Sequence, residues 1–212
     1  MFLLLRIFAF KRNSIYQIPW CGQQYSVYIN KMNILISQIE YIKPPRLFVF
    51  DALERAYYTL LSKHNLIPVP NSIIVPDNDY DCLVLTGGPD SIARNKTENL
   101  LYEDAFKKGK PIVGICHGAF VINDICGGVN GYIDNHVDKE HTIKMYDKEY
   151  NVRCYHTQRI EKLPKDFIAI AYDLEGNPEA FKHNTLPIYG MLWHPERMDD
   201  PVLPPEVKKL LD

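Results

Sequence analysis

The chain carries no basic block and no long run of like charge. Its 24 lysines and arginines stand against 26 aspartates and glutamates, for a formal net charge of −2, so the electrostatic footprint of a nucleic-acid binder is missing. Cysteine is sparse and scattered. The five, at 21, 82, 116, 126 and 154, form no C-x-x-C pair. That argues against a disulfide framework and a zinc site, and for a reducing, cytoplasmic setting. Long apolar runs are lacking too. Met1-Phe2-Leu3-Leu4-Leu5 is interrupted by Arg6, and Lys11-Arg12 follow. This is too short to cross a bilayer, and it lacks the order of charge, apolar core and small residues that marks a signal peptide. No membrane partner is expected. There is no internal repeat and no low-complexity tract.

What is present suits one α/β domain: 212 residues, 46% of them hydrophobic, enough for a core. Strand composition begins after Met32, which divides the chain into an N-terminal extension at 1–31 and a domain at 32–212. Translation starting at Met32 would explain the extension; Tyr25–Ile29 otherwise reads as part of a small added hairpin. A strand is expected at 33–37. Pro44-Pro45 excludes a helix over 39–48. Leu53, Ala56, Tyr57, Leu60 and Leu61 recur at helical steps and predict a helix over 51–63 capped by Asp51. Strands are expected at 66–70 and 81–86, a helix at 97–108, and a loop at Gly127–Gly131. Alternating segments at 141–146 and 149–155, and at 167–172 and 180–183, read as two hairpins. A last strand at 187–193 and a short helix at 206–211 close the chain. The strand–helix alternation of the first half predicts a Rossmann-like three-layer sandwich, with a mostly parallel central sheet and an added antiparallel hairpin region.

Gly114-Ile115-Cys116-His117-Gly118 lies between an apolar strand, Pro111-Ile112-Val113, and the helical Ala119–Ile125. A nucleophile between two glycines at such a junction has the pattern of a nucleophile elbow, where only small residues fit the turn. A helix N-terminus favours negative charge, and thiolate is the reactive form of cysteine. The same residues would also suit a buried cysteine beside two turn glycines. A cysteine nucleophile needs a base and a group that orients it. His194 and Glu196 flank Pro195, and their spacing lets both side chains project the same way from extended backbone; a surface-loop histidine is the plainer alternative. Gly87-Gly88 ends a strand, where backbone N–H groups can approach an oxyanion. Each important donor of this kind is worth about 3–4 kcal/mol. The N–H of His117 is the second natural donor.

Three blocks, Thr86-Gly87-Gly88-Pro89-Asp90, Gly114–Gly118 and Trp193-His194-Pro195-Glu196, together resemble the signature blocks of the class I glutamine amidotransferase family, in order and spacing, over about residues 33–200. The resemblance implies Cys116 as nucleophile, His194 as general base and acid, Glu196 as its orienter, and Gly88 and His117 as oxyanion-hole donors. It implies attack on a γ-glutamyl amide, release of ammonia or an amine, and hydrolysis of a γ-glutamyl thioester, with no metal and no organic cofactor. Arg94…Glu98, His136…His141 and Cys154-Tyr155-His156-Thr157-Gln158 are similar to the branch containing γ-glutamyl-γ-aminobutyrate hydrolase and free-standing amidotransferases of polysaccharide gene clusters. By that resemblance Gly87, Tyr155 and His156 line the glutamyl pocket. Arg94 and Glu98 either bind the glutamyl α-groups or form a surface ion pair. Cys154 stands where the branch usually has serine, and His117 where arginine or leucine is usual.

Three functions follow from these expectations. The first is a glutaminase component supplying ammonia to a separate synthetase chain. The second is a stand-alone hydrolase of a γ-glutamyl amine or γ-glutamyl nucleotide amidate. The third is an inactive regulatory module on the same fold.

Overall fold

Nine strands pair into one sheet in the computed structural model, which describes residues 31–45, 47–71, 75, 77, 79–134 and 136–212. The expected extension, Lys31 apart, and the segment Tyr25–Ile29 lie outside the described residues. The chain runs through β1 (Asn33–Ser37), β2 (Ile39–Lys43), β3 (Phe48–Ala52), α1 (Arg55–Leu60), β4 (Asn65–Val69), β5 (Cys82–Leu85), α2 (Ile92–Lys107), β6 (Ile112–Ile115) and α3 (His117–Ile125). It continues through β7 (Val129–Tyr132), β8 (Val137–Met145), β9 (Lys148–Tyr155), β10 (Gln158–Lys162), β11 (Phe167–Asp173), β12 (Pro178–His183), β13 (Ile188–Met191), a 3-10 turn (Pro195–Arg197) and α4 (Pro205–Leu211).

The large sheet has the order β4-β1-β5-β6-β13-β12-β11-β8-β9. Pairings from β4 to β13 are parallel and those from β13 to β9 antiparallel. The expected α/β sandwich is present. Its antiparallel strands continue the central sheet rather than forming an appendage, so the sheet is evenly mixed. Two small antiparallel pairs, β2–β3 and β7–β10, stand apart from it.

Strand alternation builds the layers. Side chains of successive strand residues face opposite sides, so Ile34, Ile36, Cys82 and Val84 enter one core with Tyr57, Leu61 and Val207. Leu35, Leu83 and Leu85 enter the other with Leu101, Ala105, Ala119, Phe120 and Ile122. Helices α1 and α4 therefore cover one face, and α2 and α3 the other. Each fully buried Ile, Leu or Phe contributes about 1.5–3 kcal/mol of transfer free energy.

Three local expectations change. The helix predicted over 51–63 shortens to α1, with Glu54 at its N-cap position. Asp51 lies in β3 instead, and its carboxylate accepts hydrogen bonds from Asn71 N and Nδ2 at 3.1 and 2.7 Å. The loop predicted at Gly127–Gly131 includes most of β7, which pairs with β10, a strand the alternation does not reveal. Helix α2 starts five residues before the predicted 97, at Ile92, because Ser91 Oγ accepts from Arg94 N and caps it.

Candidate active site

Strands β5, β6 and β13 are neighbours and parallel, so their carboxyl ends lie side by side. In open α/β sheets ligands bind at those ends. Here they deliver Thr86-Gly87-Gly88, Cys116 and, just beyond β13, His194. The three sequence blocks meet for this topological reason.

Cys116 has φ 49° and ψ −107°, a left-handed backbone that L-residues rarely adopt. The turn is held from two sides: Cys116 N–H donates to Met191 O at 2.8 Å, and Gly118 N–H to Thr86 O at 3.1 Å. A Cβ on Gly114 would lie 2.6 Å from Gly118 O, and one on Gly118 would collide with the Leu85 carbonyl. Both glycines are therefore required by close approach. Cys116 itself lies at the start of α3 and lines a cavity of about 590 Å³ together with Gly88, His117, Tyr155 and His194. That volume falls within the range of small-molecule sites.

His194 is buried, and its Nδ1 lies 2.6 Å from Glu196 Oε1. A carboxylate oxygen can only accept, so Nδ1 carries the hydrogen and Nε2 is left to act on the cavity side. Nε2 is buried and meets no partner in full hydrogen-bond geometry. Burial pulls the imidazole's proton affinity down, but the adjacent Cys116 and Glu196 outweigh it and raise the pKa to about 9. Tyr155 packs edge-on against the His194 ring at 5.2 Å, and the Arg197 guanidinium lies over the Tyr155 ring at 4.5 Å.

The glycine loop is fixed from beneath. Arg94 donates from Nη2 to Thr86 O at 2.6 Å and to Gly87 O at 3.3 Å, and from Nη1 to Pro89 O at 2.8 Å. Its Nε lies 3.0 Å from Glu98 Oε1, which also accepts from Ser37 Oγ at 2.7 Å. His117 Nε2 lies 3.1 Å from Glu98 Oε2. Burial alone would raise the Glu98 carboxyl; His117, Arg94 and Ser37 reverse that and hold it below the usual carboxylate range. The expected surface ion pair is thus a buried one. With 0% of either side chain exposed, Arg94 and Glu98 offer no surface to a glutamyl group, and they support the loop and the residue after Cys116 instead.

Gly87 also differs from expectation. Its N–H donates to Tyr57 Oη at 2.8 Å, so both of its backbone polar groups are engaged. A Cβ there would collide with His194 Cε1, so this glycine makes room for the imidazole. Gly88, at φ +113°, occupies backbone space that favours glycine. The His117 N–H opens α3 and has no partner inside the helix. Of the residues expected around a substrate, Tyr155 and His156 line the cavity. His156 turns its Nδ1 to Gln158 O at 2.7 Å and its Nε2 toward Glu179.

A second Cys/His/Glu group, Cys154, His156 and Glu179, lies close together in the described residues. Cys154 is fully buried, and burial followed by the Glu179 charge push its thiol up, away from the reactive form. Limited alkylation of the native protein is expected to modify Cys116 well before Cys154, as peptide mapping would report. Faster labelling of Cys154 would reverse the assignment of the accessible thiol.

A family model for glutamine amidotransferase class-I matches residues 49–202. The chain belongs to this family. The protein is 33% identical over 141 residues to a glutamine-hydrolysing GMP synthase subunit of Methanocaldococcus jannaschii, covering 60% of this chain and 73% of that protein. It is 29% identical over 146 residues to the γ-glutamyl-CDP-amidate hydrolase of Campylobacter jejuni, covering 63% of this chain and 72% of that protein. A glutamine amidotransferase structure from Thermotoga maritima superposes with a TM-score of 0.60 at 16% identity, covering 77% of this chain and 76% of that one, and agrees on the fold. Family membership supports an enzyme of the amidotransferase hydrolase type. Among the described residues no helix is long and apolar enough to cross a membrane.

Two residues of the candidate site, Tyr57 and Arg197, go unmarked by the sequence patterns. Tyr57 fits the apolar face of α1, and nothing in that spacing signals that its hydroxyl reaches Gly87. Arg197 directly follows the His-Pro-Glu block, and its place over Tyr155 and in the cavity lining marks it only in the fold.

Proposed function

We propose that the chain hydrolyses a γ-glutamyl amide through Cys116. The thiolate sulfur attacks the amide carbonyl carbon, and the carbonyl oxygen takes up negative charge facing the N–H groups of Gly88 and His117. His194, protonated at Nε2, gives that proton to the departing nitrogen, so the C–N bond breaks and ammonia or an amine leaves. Water then attacks the γ-glutamyl thioester; His194 takes the water proton, and glutamate and the thiolate are released. Glu196 keeps the imidazole oriented and stabilises its charged form. The observation that carries this reading is the 2.6 Å His194–Glu196 contact beside a cavity-lining cysteine with left-handed backbone.

The test is incubation of the purified chain with glutamine and a panel of γ-glutamyl amines and γ-glutamyl nucleotide amidates, measuring free glutamate. Release from at least one member is expected, and none from any member would defeat the proposal. The names of the relatives support two substrate classes, glutamine and a γ-glutamyl nucleotide amidate. One observation favours a glutamine-hydrolysing component with a separate synthetase partner. The β2–β3 hairpin exposes Tyr41, Ile42, Val49 and Phe50, and its first residue, Ile39, abuts Gly88. An apolar surface of this kind beside the cavity suits a protein partner. Poor hydrolysis of glutamine by the chain alone, with efficient cleavage of γ-glutamyl amines, would favour the stand-alone hydrolase instead.

The protonation of His194 sets a pH dependence. Its folded pKa of about 9 lies above the ordinary imidazole value of 6.5. Its contribution to stability is therefore fully present below about pH 6.5 and is lost as pH rises through about 9. Over that window the melting temperature of wild type is expected to fall relative to His194→Gln, with kcat/KM falling on the same limb as the proton for the leaving nitrogen is lost. Parallel melting curves for the two proteins would contradict this.

A further inference from the structure

At the cavity wall, three strands of the antiparallel half bring together a group of donors of which only His156 lines the cavity itself. His141 is on β8, Cys154 ends the buried part of β9, His156 follows β9 and Glu179 is on β12. Glu179 is 1% exposed and is the hub. Its Oε2 lies 3.6 Å from His141 Nε2, 3.8 Å from His156 Nε2 and 3.9 Å from Cys154 Sγ, while Cys154 Sγ lies 3.7 Å from His141 Nε2. His136 adds another imidazole nitrogen within 4.8 Å of His141 and Glu179.

The tautomers narrow the possibilities. A backbone carbonyl can only accept, so the 2.7 Å contact with Gln158 O places a hydrogen on His156 Nδ1. In the neutral ring, Nε2 is then an acceptor. It is buried, without a hydrogen-bond partner, and aimed at a carboxylate that is also an acceptor. His136 is anchored in the same way, with Nδ1 on Asp134 O at 3.0 Å, and its Nε2 lies 4.0 Å from Asp173 Oδ2. Two acceptors facing each other in a dry site are unfavourable unless a proton or a metal cation lies between them. Imidazoles anchored to a carbonyl through the distal nitrogen are the usual outer arrangement of metal ligands. Zinc bonds of about 2.0–2.3 Å place neighbouring ligands of a tetrahedron about 3.3–3.7 Å apart, close to the four separations above, while Cys154, His156 and Glu179 offer ligand atoms within 4.8 Å of one another.

We propose that Cys154, His141, His156 and Glu179 bind one zinc-class divalent cation, which ties β8, β9 and β12 to the wall of the cavity. The mixed sulfur, nitrogen and oxygen set suits Zn²⁺ over Mg²⁺ or Ca²⁺. Binding displaces the Cys154 thiol proton to solvent, leaving a thiolate on the metal. The cysteine spacing carries no zinc signature because only one ligand is a cysteine and the four come from separated segments. The site is positional and independent of the thioester chemistry at Cys116.

The test uses the full chain, stripped with a chelator and titrated with Co²⁺, then with Zn²⁺ as competitor. One equivalent of Co²⁺ should give a saturable thiolate-to-cobalt charge-transfer band that Zn²⁺ bleaches. The band should persist in Cys116→Ser and vanish in Cys154→Ser, and affinity should fall by at least about tenfold in His141→Ala and Glu179→Gln. Zn²⁺ should raise the melting temperature of wild type but not of Cys154→Ser. No saturable band in folded wild-type protein would overturn the proposal. So would a band lost in Cys116→Ser and kept in Cys154→Ser, which would place the metal on the cavity thiol. The wild-type titration decides even if a variant fails to fold.

Discussion

Cys116→Ser is expected to lower kcat/KM for γ-glutamyl amide hydrolysis by about 10⁴-fold or more, with a melting temperature close to wild type. Sulfur and oxygen differ little in size, and the strained turn is held by backbone contacts to Met191 and Thr86 that the substitution leaves in place. The chemistry, by contrast, is lost. The hydroxyl is a far weaker nucleophile, and the sulfur that helps hold the His194 proton in wild type is gone, so the imidazole must now remove a proton from an ordinary alcohol. Acid quenching during turnover should trap a glutamyl adduct on wild type and none on Cys116→Ser. An unchanged rate, or an adduct elsewhere, would return the inactive-module reading or require another nucleophile. Cys154 is poorly placed for that role, being fully buried.

The second large effect is on stability. Arg94→Met should cost about 3–5 kcal/mol, the usual consequence of removing one partner of a buried ion pair. It strips the guanidinium from Glu98 and removes donors from the carbonyls of Thr86, Gly87 and Pro89 at once. Urea unfolding measures the loss. Adding Glu98→Gln to Arg94→Met should recover part of it, because the buried negative charge is then gone while Ser37 can still donate to the side chain. A single-variant loss below about 1 kcal/mol, the range of an exposed pair, would refute the role of this pair as the clamp under the glycine loop.

The contrast between these two residues shows what the sequence displays and what it hides. Cys116, His194 and Gly88 sit where a strand gives way to a turn, and the local pattern of apolar run, small residue and functional group marks each one. Parallel pairing of β5, β6 and β13 then gathers them without further instruction. Arg94 carries no such mark. Four residues before a glutamate on a helix, it reads as an exposed ion pair, and only the packing of α2 under β5 buries it. Tyr57 is hidden in the same way, since helical periodicity reports the side of the ring and not the reach of the hydroxyl. Asp51 misleads because a helix cap and a strand-end acceptor use the same residue type. The continuous mixed sheet is legible only in pieces. Each hairpin announces itself through alternation, but the edge on which it docks is set by contacts distant in sequence.

Strand β13 is the seam of that sheet, parallel to β6 on one side and antiparallel to β12 on the other. The sulfur and the glycine loop belong to one half and are stitched together by the Gly118–Thr86 bond. The imidazole hangs from the seam itself, with its backbone N–H tethered across to Arg153 O on β9. Alterations far out in the antiparallel half therefore reach the proton carrier before they reach the sulfur, which makes that half the natural place to retune the rate without touching the attacking atom.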